Sequence, residues 1–150
     1  ECADAKKVVE AMKAEGWEFA SHTWGHKNVG ETPYDDLVRD TERWFEYVSP
    51  LIGETDAIIF AHGADIASGA YTSDNDKYTY LKSKGFDIYC PVDSQAYTTT
   101  VTSEYLHQGR RNLDGYRIYH DAISDNPMTA DLFDANKVLD PDRPLPVPDL

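Results

Sequence analysis

Two histidines stand four positions apart in "SHTWGH", residues 21–26, directly after the short stretch "GWEFA". Neutral imidazole nitrogens suit zinc and its borderline neighbours, so His22 and His26 could clamp a divalent cation. The same spacing also fits two separately solvated rings. One helical turn, or a tight loop, would bring both rings to the same side. Catalytic zinc has three protein ligands and one open position, so the pair needs a partner. A metal held this way activates water and polarises a carbonyl oxygen, while a nearby carboxylate takes the proton.

Positioning such a site requires elements that end at it. Residues 3–15 read as a helix with Ala5, Val8, Val9 and Met12 on one face, ended by Gly16. "WEFAS" (17–21) alternates like a short strand. Thr32, Pro33 and Asp35 start a second helix, with Thr32 as N-cap, whose stripe is Tyr34, Leu37, Val38, Thr41, Trp44, Phe45 and Val48 and which Gly53 closes. The acids along 35–46 read as its solvent face. "DAIIFA" (56–61) and "FDIYCPV" (86–92) read as buried strands flanking a helix at 75–84, and "GYRIYH" (115–120) reads as a further strand before a short helix near 127–135. Alternating helices and strands imply an α/β fold with parallel strands, in a barrel or an open sheet. Residues 1–139 then form one domain, and the Pro-rich segment 140–150 an extended strap or exit linker.

In parallel α/β folds ligands bind at the carboxyl ends of strands. His22 and His26 follow the first predicted strand, His62 and Asp65 the second, Asp93 the third, and His120 with Asp121 the last. Four of the five histidines fall on one predicted face, and His107 is the exception.

The totals exclude several functions. A net charge of -13 argues against nucleic acid or anionic lipid as partner. No apolar run approaches the length of a membrane span. Position 1 is Glu with no leader after it, so the sequence is expected to be a piece of a longer chain, with any targeting signal outside it. Cys2 and Cys90 are too few for a disulfide scaffold, and Cys90 reads as a buried free thiol.

"GWEFASHTWGH" resembles the second motif of the polysaccharide deacetylases, the NodB-homology family or carbohydrate esterase family 4: His22, Thr23 and His26 match its His-Ser/Thr-x-x-His pattern. "IIFAHGADI", "LKSKGFDIYCPVDS" and "QGRRNLDGYRIY" are similar to a branch of secreted bacterial proteins in that family. The resemblance implies a distorted (β/α) barrel, incomplete here, and a hydrolase removing acetyl groups from an N- or O-acetylated glycan. It implies a divalent metal, usually zinc, on His22 and His26, and an extracellular or cell-envelope location. The third ligand and the catalytic base, paired aspartates of a first motif, are expected upstream of Glu1.

Other matches are partial. The third motif, Arg-x-Pro-Tyr-Gly in the family, reads "IFAHG" (59–63). Gly63 fits, His62 takes the Tyr position beside the oxyanion-holding backbone, and Ile59 replaces the base-orienting Arg. Asp93 answers the fourth motif or simply begins a turn with Ser94. His120 answers the fifth motif, as the general-acid candidate, or is a solvated strand end. Trp24, Tyr71 and Tyr97 could line a sugar subsite, and Trp17 and Trp44 read as core. "RR" at 110–111 reads as structural or solvated. The degenerate motifs leave an alternative open, a non-catalytic carbohydrate-binding or scaffold domain derived from the enzyme.

Overall fold

The computed structural model describes residues 2–66, 71–93, 98–140 and 142. Its elements are α1 (Cys2–Ala14), α2 (Tyr34–Tyr47), α3 (Ser49–Ile52), β1 (Ala57–Ile59), α4 (Asp76–Ser83), β2 (Ile88–Cys90), β3 (Thr99–Val101), β4 (Leu106–Gln108), α5 (Gly115–Ile123) and α6 (Ala135–Val138). The strands form an open mixed sheet in the order β1-β2-β4-β3, with β1, β2 and β4 parallel and β3 antiparallel to β4. The fold is α/β, as the alternation of elements predicts.

Pairing register sorts the side chains between two faces. Ile58 lies opposite Tyr89, and Tyr89 opposite His107, so these three share a face. Helices α2 and α4 cover that face, and Leu37, Trp44, Tyr78 and Leu81 join Ile58, Phe60, Phe86 and Tyr89 in one buried cluster. Ala57, Ile59, Ile88, Cys90 and Leu106 point the other way and are only half-buried. Cys90 is a free thiol, and burial pushes its pKa up, with the Arg110 charge opposing.

The second helix stops earlier than its stripe predicts. Pro50 has no N–H to continue the ladder and its ring crowds the carbonyl four residues back. The chain breaks at Val48 into α3, which Gly53 closes at φ 83°. Thr32 does not cap α2 with its side chain; its hydroxyl donates to the Asn28 carbonyl at 2.6 Å. Helix α4 is capped as its sequence suggests, because the Asn75 side chain accepts from Lys77 N and Tyr78 N.

Other expectations are corrected. "WEFAS" makes no strand; its contact with the sheet is one parallel bridge, Ser21 to Ile58. Trp17 therefore lies outside the core, 63% exposed, whereas Trp44 is buried at 3%. "GYRIYH" is helix α5 rather than a strand, because the Asp114 side chain caps it by accepting from Arg117 N. Residues 128–132 are turns, and the short helix begins only at Ala135, behind the cap Asp134. Of the Pro-rich segment 140–150, residue 141 and residues 143–150 lie outside the described residues.

Candidate metal centre

The chain leaves the sheet at Ser21. Its N–H donates to the Ala57 carbonyl at 2.9 Å, and its carbonyl accepts from Ile59 N at 2.7 Å. That bridge sets His22 beside the end of β1, from which His62 also departs. The His22 Nδ1 lies 2.6 Å from the Ile59 carbonyl oxygen. A carbonyl only accepts, so Nδ1 carries a proton, and in the neutral ring Nε2 then keeps its lone pair. An imidazole held by a backbone carbonyl is the usual preparation of a metal ligand.

A tight turn brings His26 back to His22. Thr23 and His26 adopt φ of 64° and 51°, and the Thr23 hydroxyl oxygen accepts from Lys27 N at 3.0 Å. The ring centroids of His22 and His26 are then 5.0 Å apart. His62, at φ 57°, places its ring 4.5 Å from that of His26 and donates from Nε2 to the His26 carbonyl at 3.1 Å. Thr23, His26 and His62 are the non-glycine residues at positive φ among the described residues. Left-handed backbone costs an L-residue roughly 1–2 kcal/mol, and such strain collects at functional sites.

Turn and helix are locked together by Asp40, which is buried at 5% exposure on α2. Its two carboxylate oxygens accept from Trp24 N at 2.9 Å and Gly25 N at 2.7 Å. Reading the acids of 35–46 as a solvent face fails at this residue. The signal was available: Asp40 sits three after Leu37 and four before Trp44, within the apolar stripe.

The donor set fits part of a metal site. His22 and His26 offer two imidazoles at the surface, close together and pre-oriented. His62 has already committed Nε2 to a backbone carbonyl. Among the described residues, no three His, Cys, Asp or Glu side chains are grouped to hold a metal.

The remaining predicted site residues divide. Gly63 stands next to the histidines at φ 68°, and a Cβ there would come within 2.6 Å of Val92 Cβ. Val92 N donates to the Gly63 carbonyl at 3.1 Å, which draws the start of the Asp93 segment to the same rim. Asp93 N donates to the Arg110 carbonyl at 2.8 Å. Trp24 is 44% exposed and lies against Tyr47 with centroids 5.1 Å apart. Tyr97 lies outside the described residues, as does Ser94. His120 does not end a strand; it sits on α5 with its ring 4.2 Å from that of Tyr116, one turn earlier.

Three polar features escape sequence reasoning. Asp65 accepts the Tyr71 hydroxyl at 2.5 Å through Oδ1, and the His107 Nε2 lies 2.8 Å from its Oδ2. Tyr71 also stacks on Tyr105, so it is part of the core and no sugar subsite. Burial, and then the bond to Asp65, push its pKa far up. Arg110 donates to the carbonyls of Cys90 at 3.0 Å and Phe60 at 2.9 Å, clamping the ends of two strands. Arg111 pairs with Asp131 through two bonds, so both arginines are structural. Apart from Tyr71 and Asp65, which are 6 residues apart, these partners lie 20 to 50 residues apart, beyond any local pattern.

Comparison with known families matches residues 2–84, more than half of the chain, to the polysaccharide deacetylase model. That span holds the His22–His26 turn, Asp40, His62 and Gly63. No curated protein and no solved structure matches the chain.

Proposed function

The chain belongs to the polysaccharide deacetylase family, and on that premise we propose that it serves metal-dependent hydrolysis of acetyl groups from an N- or O-acetylated polysaccharide. The observation that carries the reading is the prepared pair: His22 pinned through Nδ1 to the Ile59 carbonyl, with His26 turned to face it. His22 and His26 would hold a divalent cation, most suitably zinc by its preference for imidazole. Bound there, the cation supplies a Lewis acid and a water acidic enough to be deprotonated near neutrality.

The chain's own residues do the positioning. Asp40 holds the turn, so the two rings keep their separation without further ordering. His62 braces the His26 backbone, and its own segment lies where an acetyl oxygen could meet backbone N–H groups. Trp24 offers an exposed face for a pyranose ring. The open sheet would be part of a distorted (β/α) barrel. Asp93 belongs to the rim through the Val92–Gly63 bond, and His120 lies on α5 beside Tyr116.

A second reading follows from one observation. Beside the pair no third ligand or base is grouped among the described residues, which suits a glycan-binding domain that has lost catalysis. Under either reading residues 1–150 alone release acetate from an N-acetylated glycan no faster than background. Robust zinc-dependent release would overturn that statement.

X-ray fluorescence of protein purified without chelator tests the metal. One zinc per chain, absent from a His22→Ala/His26→Ala variant, is the expected result. A zinc-free chain at neutral pH would remove the basis for metal-dependent chemistry here.

A further inference from the structure

Next to the histidine turn, which Asp40 anchors, the surface folds into a cavity of about 240 Å³ lined by Lys27, Asp36, Arg39, Asp40 and Arg43. The chain is strongly acidic, yet three of its 14 basic residues gather round this one hollow. Positions 36, 39, 40 and 43 follow one another at helical spacing, so α2 presents them on a single face.

The two acids there are already engaged. Asp36 pairs with Arg39. Asp40 spends both oxygens on Trp24 N and Gly25 N. Lys27 uses only its backbone N–H, on Thr23. Among the described residues the Lys27 ammonium and the Arg43 guanidinium have no ion pair or hydrogen bond to the protein. Three cations against two carboxylates leave the hollow one net positive charge, and the Lys27 ammonium and Arg43 guanidinium offer an anion charge and a planar fork of donors.

The neighbourhood specifies what would carry the anion. Tyr47 stands one helical turn beyond Arg43 and packs against Trp24, and both rings are exposed, at 53% and 44%. An apolar aromatic plate suits the C–H face of a sugar. Arg43 lies one helical turn from Tyr47, and Trp24 belongs to the same turn as His22 and His26.

We propose that this hollow is a subsite for an anionic substituent, a carboxylate or a phosphate monoester, on a glycan whose neighbouring sugar rests on Trp24 and Tyr47. The inference deepens the glycan reading of the previous section and rests on it. It gives that reading a substrate class: acidic acetylated glycans, in place of neutral ones. An acidic protein holds such a chain against its overall repulsion by concentrating positive charge at the contact.

Calorimetric titration with three oligosaccharides of equal length tests it: a neutral N-acetylglucosamine tetramer, one with a carboxylate on alternate units, and one with a phosphate monoester. The expected result is at least tenfold tighter binding of a charged oligomer than of the neutral one at low ionic strength. The advantage shrinks in 0.5 M salt, as a partly exposed ion pair must. Whichever charged arm binds tighter identifies the anion.

Lys27→Met with Arg43→Met removes the advantage and leaves the neutral affinity unchanged, with circular dichroism confirming the fold. Lys27→Met with Arg43→Lys restores part of it. Trp24→Ala weakens all three arms. Equal binding of neutral and charged oligomers overturns the subsite while the glycan reading stands. So does a charged advantage that survives in the double methionine variant. Failure of all three oligomers to bind overturns the subsite and the glycan reading together, whereas zinc uptake by His22 and His26 reports on the metal separately.

Discussion

The carboxylate of Asp40 lies 2.7 Å from the backbone nitrogen of Gly25, with no room between them. A Cβ on Gly25 would come within 2.8 Å of the same oxygen. A helix residue thus holds a turn 15 positions earlier in the chain, and the turn holds the two histidines. Hydrogen bonds from N–H groups to a buried carboxylate contribute about 1.5–3 kcal/mol each, and leaving such donors unpaired costs their desolvation. Asp40→Ala is therefore expected to destabilise the protein by at least about 2 kcal/mol. Zinc affinity should fall with it, because the rings lose their fixed separation. Gly25→Ala should reproduce the zinc defect. Urea unfolding and zinc titration measure the two effects, and an Asp40→Ala protein with unchanged zinc affinity would separate the carboxylate from the site.

Backbone strain at His62 gives a second expectation. At φ 57° its Cβ crowds the carbonyl, a penalty that glycine does not incur. His62→Ala and His62→Gly both lose the bond to the His26 carbonyl, so their difference isolates the backbone. Glycine gains by relieving the strain and loses by its freer unfolded chain, roughly 0.4–1 kcal/mol. The net expectation is a His62→Gly protein more stable than His62→Ala by about 0.5–1 kcal/mol. The order of the two melting temperatures decides it; alanine above glycine would mean that the strain is not there.

Helix α2 is legible in the sequence because its stripe persists over several turns and its start carries Pro chemistry, and the two-turn α4 is legible from its place between two apolar runs. The His22–His26 pair is legible because its motif is local. Strands β3 and β4 are not: each has three residues, and Thr99, Thr100, His107 and Gln108 give no apolar alternation to read. "GYRIYH" fits period two as well as it fits a helix, and only the Asp114 cap distinguishes them. Asp40, Asp65 with His107, and Arg110 depend on partners far along the chain, which no window of sequence contains. What the sequence holds is the two histidines; what it hides is the frame that aims them.

Asp121 predicts a pH dependence away from the histidines. It is buried at 4% exposure on α5 and accepts from Met128 N, Thr129 N and the Thr129 hydroxyl. Burial raises its pKa, but the bonds from Thr129 and Met128, with the charge of Arg117, outweigh it and leave the pKa below the ordinary 3.8. A carboxyl whose folded pKa is depressed stabilises the fold above its unfolded value, and that contribution is lost as pH falls through the lowered one. The stability gap between the natural protein and Asp121→Asn should therefore be constant from neutrality down to about pH 5. It should narrow steadily below the ordinary carboxylate value. Chemical denaturation across that range measures it, and a gap that widens on acidification would reverse the sign assigned to Asp121.

The metal itself distinguishes ligands from supports. His22 presents a free Nε2 because the Ile59 carbonyl holds its Nδ1, whereas His62 has given Nε2 to the His26 carbonyl. If the pair alone contributes ligands, His22→Ala and His26→Ala each remove one of two and should weaken zinc binding at least a hundredfold. His62→Ala removes a brace. Losing an outer partner of a metal site costs about 10–100-fold, so its effect should be the smaller one. His62→Gln, which can still donate to that carbonyl, should recover most of the loss, because a support needs only the hydrogen bond. A ligand needs the imidazole, and glutamine cannot supply it. Competition against a chromogenic zinc chelator ranks the four variants: recovery in glutamine makes His62 a brace, and a loss equal to that of His22→Ala makes it a third ligand.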